Sequence, residues 1–136
     1  MWWWRVAYLD QRGEVMLHDA NELHIPVGET VVIELRSADV IHSFWVPRLS
    51  GKLDMIPGRV NLMKIRADEP GTYGGQCAEY CGGPHALMGF VVVAHPPERF
   101  RQIMAARRER SAVAAVSADS PGAALFGSAG CAACHR

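Results

Sequence analysis

The segment GQCAEYCGGPHALMG, residues 75–89, sets two thiols, an imidazole and a thioether in one loop: Cys77, Cys81, His85 and Met88. Soft sulfur donors select copper or zinc over hard cations, and imidazole suits either metal. The methionine tips the set toward copper, because zinc sites are built from Cys, His and carboxylates. Cysteines four residues apart can face one pocket from a single loop. A mononuclear blue-copper site takes one Cys, two His and a weak axial Met, so this loop carries one thiolate beyond that set. Two thiolates can instead bridge two metals, and each bridged metal then needs its own terminal imidazole. His85 supplies one. The other must come from elsewhere in the chain, and His42 in DVIHSFWVP is the best-placed candidate. His18 and His24 stand in polar, turn-flanked contexts and His95 precedes Pro96-Pro97, so all three are weaker candidates. A Cys77–Cys81 disulfide would leave the rest of the constellation without a role, and a zinc site would leave Met88 without one.

On either side of this loop, residues 3–95 read as β-structure. WRVAYL is an aromatic and β-branched run. ELHIPVGETVVIELRS holds two such runs broken at Pro26-Val27-Gly28, a turn signal. Val31, Ile33 and Leu35 alternate with Val32, Glu34 and Arg36, which predicts a strand with one wetter face. VIHSFWVP, RVNLMKIRA, EPGTYGGQC and LMGFVVVAH complete the set, and Pro96-Pro97 ends it. In RVNLMKIRA the alternation leaves the buried face ambiguous. Short strands with turn signals at this density predict an all-β antiparallel sandwich or barrel.

The composition then shifts. PERFRQIMAARRER is basic and helix-forming, SAVAAVSADSPG reads as a linker, and PGAALFGSAGCAACHR opens a new segment. The expected division is residues 1–96 as the β-domain, 97–120 as helix and linker, and 121–136 as the truncated start of another domain. The ending CAACH is C-x-x-C-H, the attachment motif of c-type haem. In that reading Cys131 and Cys134 form thioethers to the haem and His135 ligates its iron. The chain stops at Arg136, before any distal ligand or most of a haem pocket, so this segment alone is not expected to fold as a cytochrome.

The bulk numbers set limits on function. Of 136 residues, 49% are apolar, enough for a packed core, and 14 basic residues balance 14 acidic ones. A neutral chain lacks the basic surface of a general nucleic-acid binder. No segment offers the roughly 20 apolar residues of a membrane span, and MWWWRV has neither the charged region nor the cleavage site of a signal peptide. Trp and Tyr gather at membrane interfaces, so the opening tryptophans fit a Met1 that follows the cut end of a longer, membrane-anchored chain. They also fit a strand packing its aromatic residues on the core. The four cysteines form two close pairs rather than a scattered framework, a pattern of metal or cofactor sites.

HSFWVP, DMIPGRVN and GQCAEYCGGPHALMG together resemble the copper-binding domain of subunit II of haem-copper (cytochrome c) oxidases, over residues 1 to about 95. The motif C-x-E-x-C-x3-H-x2-M, joined to an upstream H-S-F, is specific. The resemblance implies a cupredoxin-like β-sandwich holding the binuclear copper centre called CuA. Cys77 and Cys81 would then be the bridging thiolates, His42 and His85 would each bind one copper, and Met88 would be the weak ligand of one copper. The backbone carbonyl of Glu79 would serve the other, while its carboxylate meets a magnesium or manganese ion at the border with the catalytic subunit. MWWWRVAY resembles the family's Q-W-x-W-x-x-x-Y, with Met1 where Gln would stand. That puts the electron-entry tryptophan at Trp2 and makes Trp4 a core residue. Asp39 and Asp54 are candidates for an acidic patch that meets a basic cytochrome c, or else ordinary solvated residues.

The resemblance further implies electron transfer from cytochrome c to oxidase subunit I, for reduction of oxygen to water coupled to proton transport. The setting would be the periplasmic face of a bacterial inner membrane, with anchoring by missing N-terminal helices. GAALFGSAG before the haem motif resembles the first helix of a cytochrome c, so the parent resembles subunits II that carry a fused cytochrome c. Nitrous oxide reductase shares C-x3-C-x3-H-x2-M, but Glu79 and DMIPGR favour the oxidase. The alternative from another class is a copper storage or delivery module on a cupredoxin fold. A copper-less quinol oxidase relative is opposed by the intact ligand set.

Overall fold

The computed structural model describes residues 2–116 and 120–131, and among these it contains nine strands and two α-helices. The strands are β1 (Arg5–Leu9), β2 (Val15–Ala20), β3 (Glu22–Pro26), β4 (Val31–Leu35), β5 (His42–Trp45), β6 (Lys52–Met55), β7 (Asn61–Ile65), β8 (Gly71–Cys77) and β9 (Gly89–His95). The helices are α1 (Pro97–Val116) and α2 (Pro121–Ser128). The chain separates into two compact units, residues 1–102 and 103–136.

The first unit is a cupredoxin-like β-sandwich. Five strands form one sheet in the order β3-β9-β8-β5-β6, β4 pairs β7, and β1 pairs β2 as a ribbon. Every pairing is antiparallel except β3 with β9, which run parallel. The period of two decides which residues enter the core. On β9, Phe90, Val92 and Ala94 are buried while Val91 and Val93 are half-buried. The ambiguous strand β7 turns Met63 and Ile65 inward and leaves Leu62 and Lys64 in solvent. On β4, Leu35 is buried, Val31 and Ile33 are half-buried, and Val32 and Glu34 form the wetter face. Leu35, Met63 and Ile65 share one apolar cluster with Ile25, Phe44, Val46, Tyr73 and Val92 of the larger sheet and its flanks.

An aromatic group lies at the heart of that cluster. Trp4 meets Phe44 edge-on at 5.9 Å between ring centroids and Phe90 at 4.6 Å, and Phe44 lies 4.8 Å from Phe90. Phe90 lies flat against Gly75, where an added Cβ would fall 2.4 Å from Cζ of the ring. Only glycine fits that approach. Asn21, at φ 58°, ties the start of the chain to this core. Its Oδ1 accepts from the Trp4 amide at 2.8 Å, and its carbonyl accepts from Val91 N at 3.0 Å.

The predicted break at Pro26-Val27-Gly28 does separate β3 from β4, with Gly28 at φ 80°. Two strands lie outside the runs read from sequence. β2 (VMLHDA) and β6 (KLDM) are interrupted by polar residues, because β6 is a sheet edge and β2 belongs to an outlying ribbon. The basic helix also runs further than expected. α1 continues through SAVAAV to Val116, consistent with the high helix propensity of alanine. Ser120 caps α2, its hydroxyl accepting from Ala123 N at 3.2 Å, and Pro121 occupies the first turn.

Candidate metal centre

Three pieces of backbone bring the donors together. β5 opens on His42, and β8, which pairs with it at Phe44–Cys77, ends on Cys77. The loop from Ala78 to Met88 then returns the chain to β9. Gly82 at φ 78° and Gly83 at φ 42° make the reversal, a conformation that favours residues without a Cβ. A short 3-10 turn at His85–Leu87 presents the second imidazole.

The thiols of Cys77 and Cys81 lie 3.9 Å apart, and both residues are buried. Nδ1 of His42 approaches Cys77 Sγ at 3.9 Å. Nδ1 of His85 approaches Cys81 Sγ at 3.4 Å, and Sδ of Met88 reaches the same sulfur at 3.5 Å. The carbonyl oxygen of Glu79 lies 3.2 Å from Cys77 Sγ. The loop and the distant strand therefore converge on one pair of sulfurs, as the sequence motif requires. His18, His24 and His95 take no part in this cluster.

The second ring nitrogen of His42 is equally defined. Nε2 lies 2.9 Å from Oδ1 of Asp39. A carboxylate only accepts, so Nε2 carries the hydrogen and a neutral ring presents the Nδ1 lone pair to the sulfurs. Burial holds the pKa of His42 below the ordinary imidazole value, which favours that neutral form. Burial, reinforced by the neighbouring Cys77, pushes the Cys81 thiol up. A metal taken up here must therefore displace a thiol proton. Buried sulfur, thioether and neutral imidazole donors form a set that suits copper by softness.

Backbone hydrogen bonds hold the loop in place. The Met88 carbonyl accepts from Cys77 N at 3.2 Å and from the indole N–H of Trp4 at 3.1 Å. Ala78 N donates to Ser43 O at 3.0 Å. Trp2 donates its indole N–H to the Cys81 carbonyl at 3.2 Å, and its ring lies over Gly83, where an added Cβ would come within 3.0 Å. Trp4 is core, as expected, whereas Trp2 remains 42% exposed on the loop's outer side.

The sequence reading missed two roles. Asp39, read as a surface acid, faces a ligand candidate, and the D-x-x-H spacing was the available signal. Trp4, read only as core, also holds the Met88 carbonyl. Asp54 is paired with Lys52 at 3.3 Å. Cys131 is exposed after the end of α2. Cys134 and His135 lie outside the described residues.

A family model for the periplasmic domain of cytochrome c oxidase subunit II matches residues 2–95. The chain belongs to this family. Within it, the chain is 48% identical over 92 residues to cytochrome c oxidase subunit 2 of Alkalihalophilus pseudofirmus, covering 68% of this chain and 26% of that relative. It thus spans about a quarter of the relative's length. The solved periplasmic domain of subunit II of cytochrome oxidase from Bradyrhizobium japonicum is 31% identical with a TM-score of 0.64, covering 78% of this chain and 76% of that one. A chain of a haem-copper terminal oxidase dimer is 35% identical with a TM-score of 0.52, over 55% of this chain and 51% of that one. Among the described residues, no helix of this subunit II domain is long and apolar enough to cross a membrane.

Proposed function

We propose that residues 1–96 form the binuclear copper electron-transfer domain of a haem-copper terminal oxidase, the centre known as CuA. The observation that carries this reading is the approach of His42 from β5, and of His85 and Met88 from the loop, to the buried thiols of Cys77 and Cys81. In this reading Cys77, Cys81, His42 and His85 would hold the two coppers, with Met88 and the Glu79 carbonyl as weak ligands. Copper supplies a one-electron couple. The chain's own residues keep the donor positions fixed, exclude water by burial and hold His42 in its ligating tautomer through Asp39. No substrate bond is made or broken in this domain.

Trp2 is the proposed point of electron entry, on the strength of its exposed ring and its hydrogen bond to the Cys81 carbonyl. Cytochrome c is the proposed donor and oxidase subunit I the acceptor, with oxygen reduced to water and protons transported by the assembled enzyme. The Glu79 carboxylate would meet magnesium or manganese at that subunit border. In the full-length parent, Cys131, Cys134 and His135 would hold a covalent haem c in a fused cytochrome domain, with residues 97–120 as helix and linker. The location proposed is the periplasmic face of a bacterial inner membrane, reached through N-terminal helices outside this chain.

Copper reconstitution followed by electron paramagnetic resonance tests the reading. The expected spectrum is the multi-line hyperfine pattern of one unpaired electron shared by two copper nuclei. A chain that bound only Cu(I), with no mixed-valence state on oxidation, would be a storage or delivery module instead.

A further inference from the structure

A second line of ionisable groups runs through the β-domain, and none of them is a proposed copper ligand. His24 on β3 is only 5% exposed. Its Nε2 lies 2.6 Å from Oε1 of Glu22 and 4.0 Å from Oδ2 of Asp19. Its Nδ1 lies 2.8 Å from Nε2 of His95, and the ring centroids are 5.1 Å apart with 18° between the planes, so the two imidazoles meet edge to edge and nearly coplanar. The groups facing His24 are therefore Glu22 from its own strand, Asp19 from β2, His95 from β9 and Tyr8 from β1, whose hydroxyl accepts from the His24 amide at 2.7 Å. His18, also on β2, is engaged instead by Arg5 at 3.1 Å.

Counting protons along this line fixes its chemistry. The Glu22 carboxylate lies against Nε2 of His24 outside hydrogen-bonding geometry, and its charge favours a hydrogen on that nitrogen over a lone pair. A neutral His24 then offers a lone pair at Nδ1, and Nε2 of His95 must be the donor between the rings. One proton added to the His95 ring keeps the bond between the rings, makes it charge-assisted, and is offset by the carboxylates of Glu22 and Asp19. A second proton would put N–H against N–H across 2.8 Å and set two cations side by side. That bond cannot survive double protonation.

His95 is the last residue of β9. Its carbonyl accepts from Val27 N at 2.8 Å, and its register partner in the parallel pair is Pro26. Immediately beyond it the chain passes through Pro96 into α1. We propose that Glu22, His24 and His95 form a proton-counting clamp, which fastens the end of β9 to β3 with zero or one added proton and releases it when both imidazoles are charged. Acidification would in this way loosen the point where the chain leaves the β-domain.

The test uses the 136-residue chain labelled with 15N and saturated with diamagnetic Cu(I), and is repeated on the metal-free chain so that it does not depend on copper. Long-range imidazole spectra are recorded from about pH 8 to about pH 4, which brackets the ordinary histidine range near 6.5. The expected result is two linked steps. His95 gains the first proton while His24 keeps its Nε2–H tautomer. At lower pH both rings become fully protonated together, and exchange of the Val27 amide, corrected for its intrinsic pH dependence, rises about tenfold or more in that same step. Glu22→Gln keeps an acceptor oxygen but drops the charge, so the first step should move to lower pH. Independent titration of the two rings would overturn the proposal. So would Val27 exchange that ignores the second step, or a first step that Glu22→Gln leaves in place.

Discussion

The carboxylate of Asp39 stands 2.9 Å from Nε2 of His42, three residues along the chain, while Nδ1 of the same ring faces Cys77 Sγ at 3.9 Å. One side chain thus sets both the tautomer and the aim of the imidazole. Partners of this kind are worth roughly 10- to 100-fold in metal affinity. Asp39→Ala should weaken copper binding by about that factor, and Asp39→Asn should recover part of the loss through its amide oxygen. Chelator competition on the two variants checks this. Unchanged affinity in Asp39→Ala would make the residue an ordinary surface acid.

Cys77→Ser and Cys81→Ser should each abolish the shared-electron spectrum, because one thiolate cannot bridge two coppers as two do. A mononuclear signal or no copper is expected. Persistence of the mixed-valence pattern in either variant would refute the bridging assignment.

Met88 is 3% exposed and its sulfur lies 3.5 Å from Cys81 Sγ. Met88→Leu removes the thioether at similar volume, so repacking should cost less than about 1.5 kcal/mol. Copper should remain bound and the midpoint potential should rise, since losing a donor disfavours Cu(II). Stoichiometry and potential should be measured together. Loss of both coppers would make Met88 an indispensable holder of the metal, and an unmoved potential would make it core filling beside Phe90.

Copper uptake should strengthen with rising pH. The Cys81 thiol is pushed up by burial and by Cys77, so at neutral pH the metal-free chain carries a proton there that copper must expel. His42 is pushed down by burial, so it is already neutral at pH 7 and adds no proton of its own. Between about pH 6 and pH 8, all below the ordinary thiol range near 8.5, apparent affinity should climb and calorimetry in different buffers should show proton release. A flat profile would mean the thiols are already ionised before metal arrives.

Gly75→Ala should destabilise the domain. The new methyl would sit 2.4 Å from Cζ of Phe90, and Phe90 is itself held between Trp4 and Phe44. Overpacking of this sort typically costs about 1–3 kcal/mol. Denaturant unfolding measures it, and a loss below about 0.5 kcal/mol would show that the ring can move aside.

Much of this was legible in the residues themselves. Period-two runs such as FVVVA named their strands because one face is apolar and the other is not. The copper ligand candidates could be read because their donor types are rare in combination and most share one loop. β2 and β6 were hidden because edge and ribbon strands bury little, and so need no apolar alternation. The parallel pairing of β3 with β9 was hidden because the partners are far apart in sequence and no local signal carries register. Asp39 was visible as a residue, but its partner was not, since only the folded β5 turns Nε2 of His42 toward it. The His24–His95 contact spans 71 positions, and each ring in isolation read as a poor ligand.

The Met88 carbonyl receives hydrogen bonds from Cys77 N and from the Trp4 indole. Cys77 and Met88 are therefore stitched to each other at a single oxygen atom, and that stitch is pinned by Trp4 from the N-terminal stretch. Residues 77–88 thus behave as a closed ring of backbone rather than an arm held out between two strands. Such a ring is a transplantable part. A foreign sandwich could accept it if it offered a histidine with a carboxylate partner on the neighbouring strand, a carbonyl in the position of Ser43 and one indole-like donor beneath the closing carbonyl.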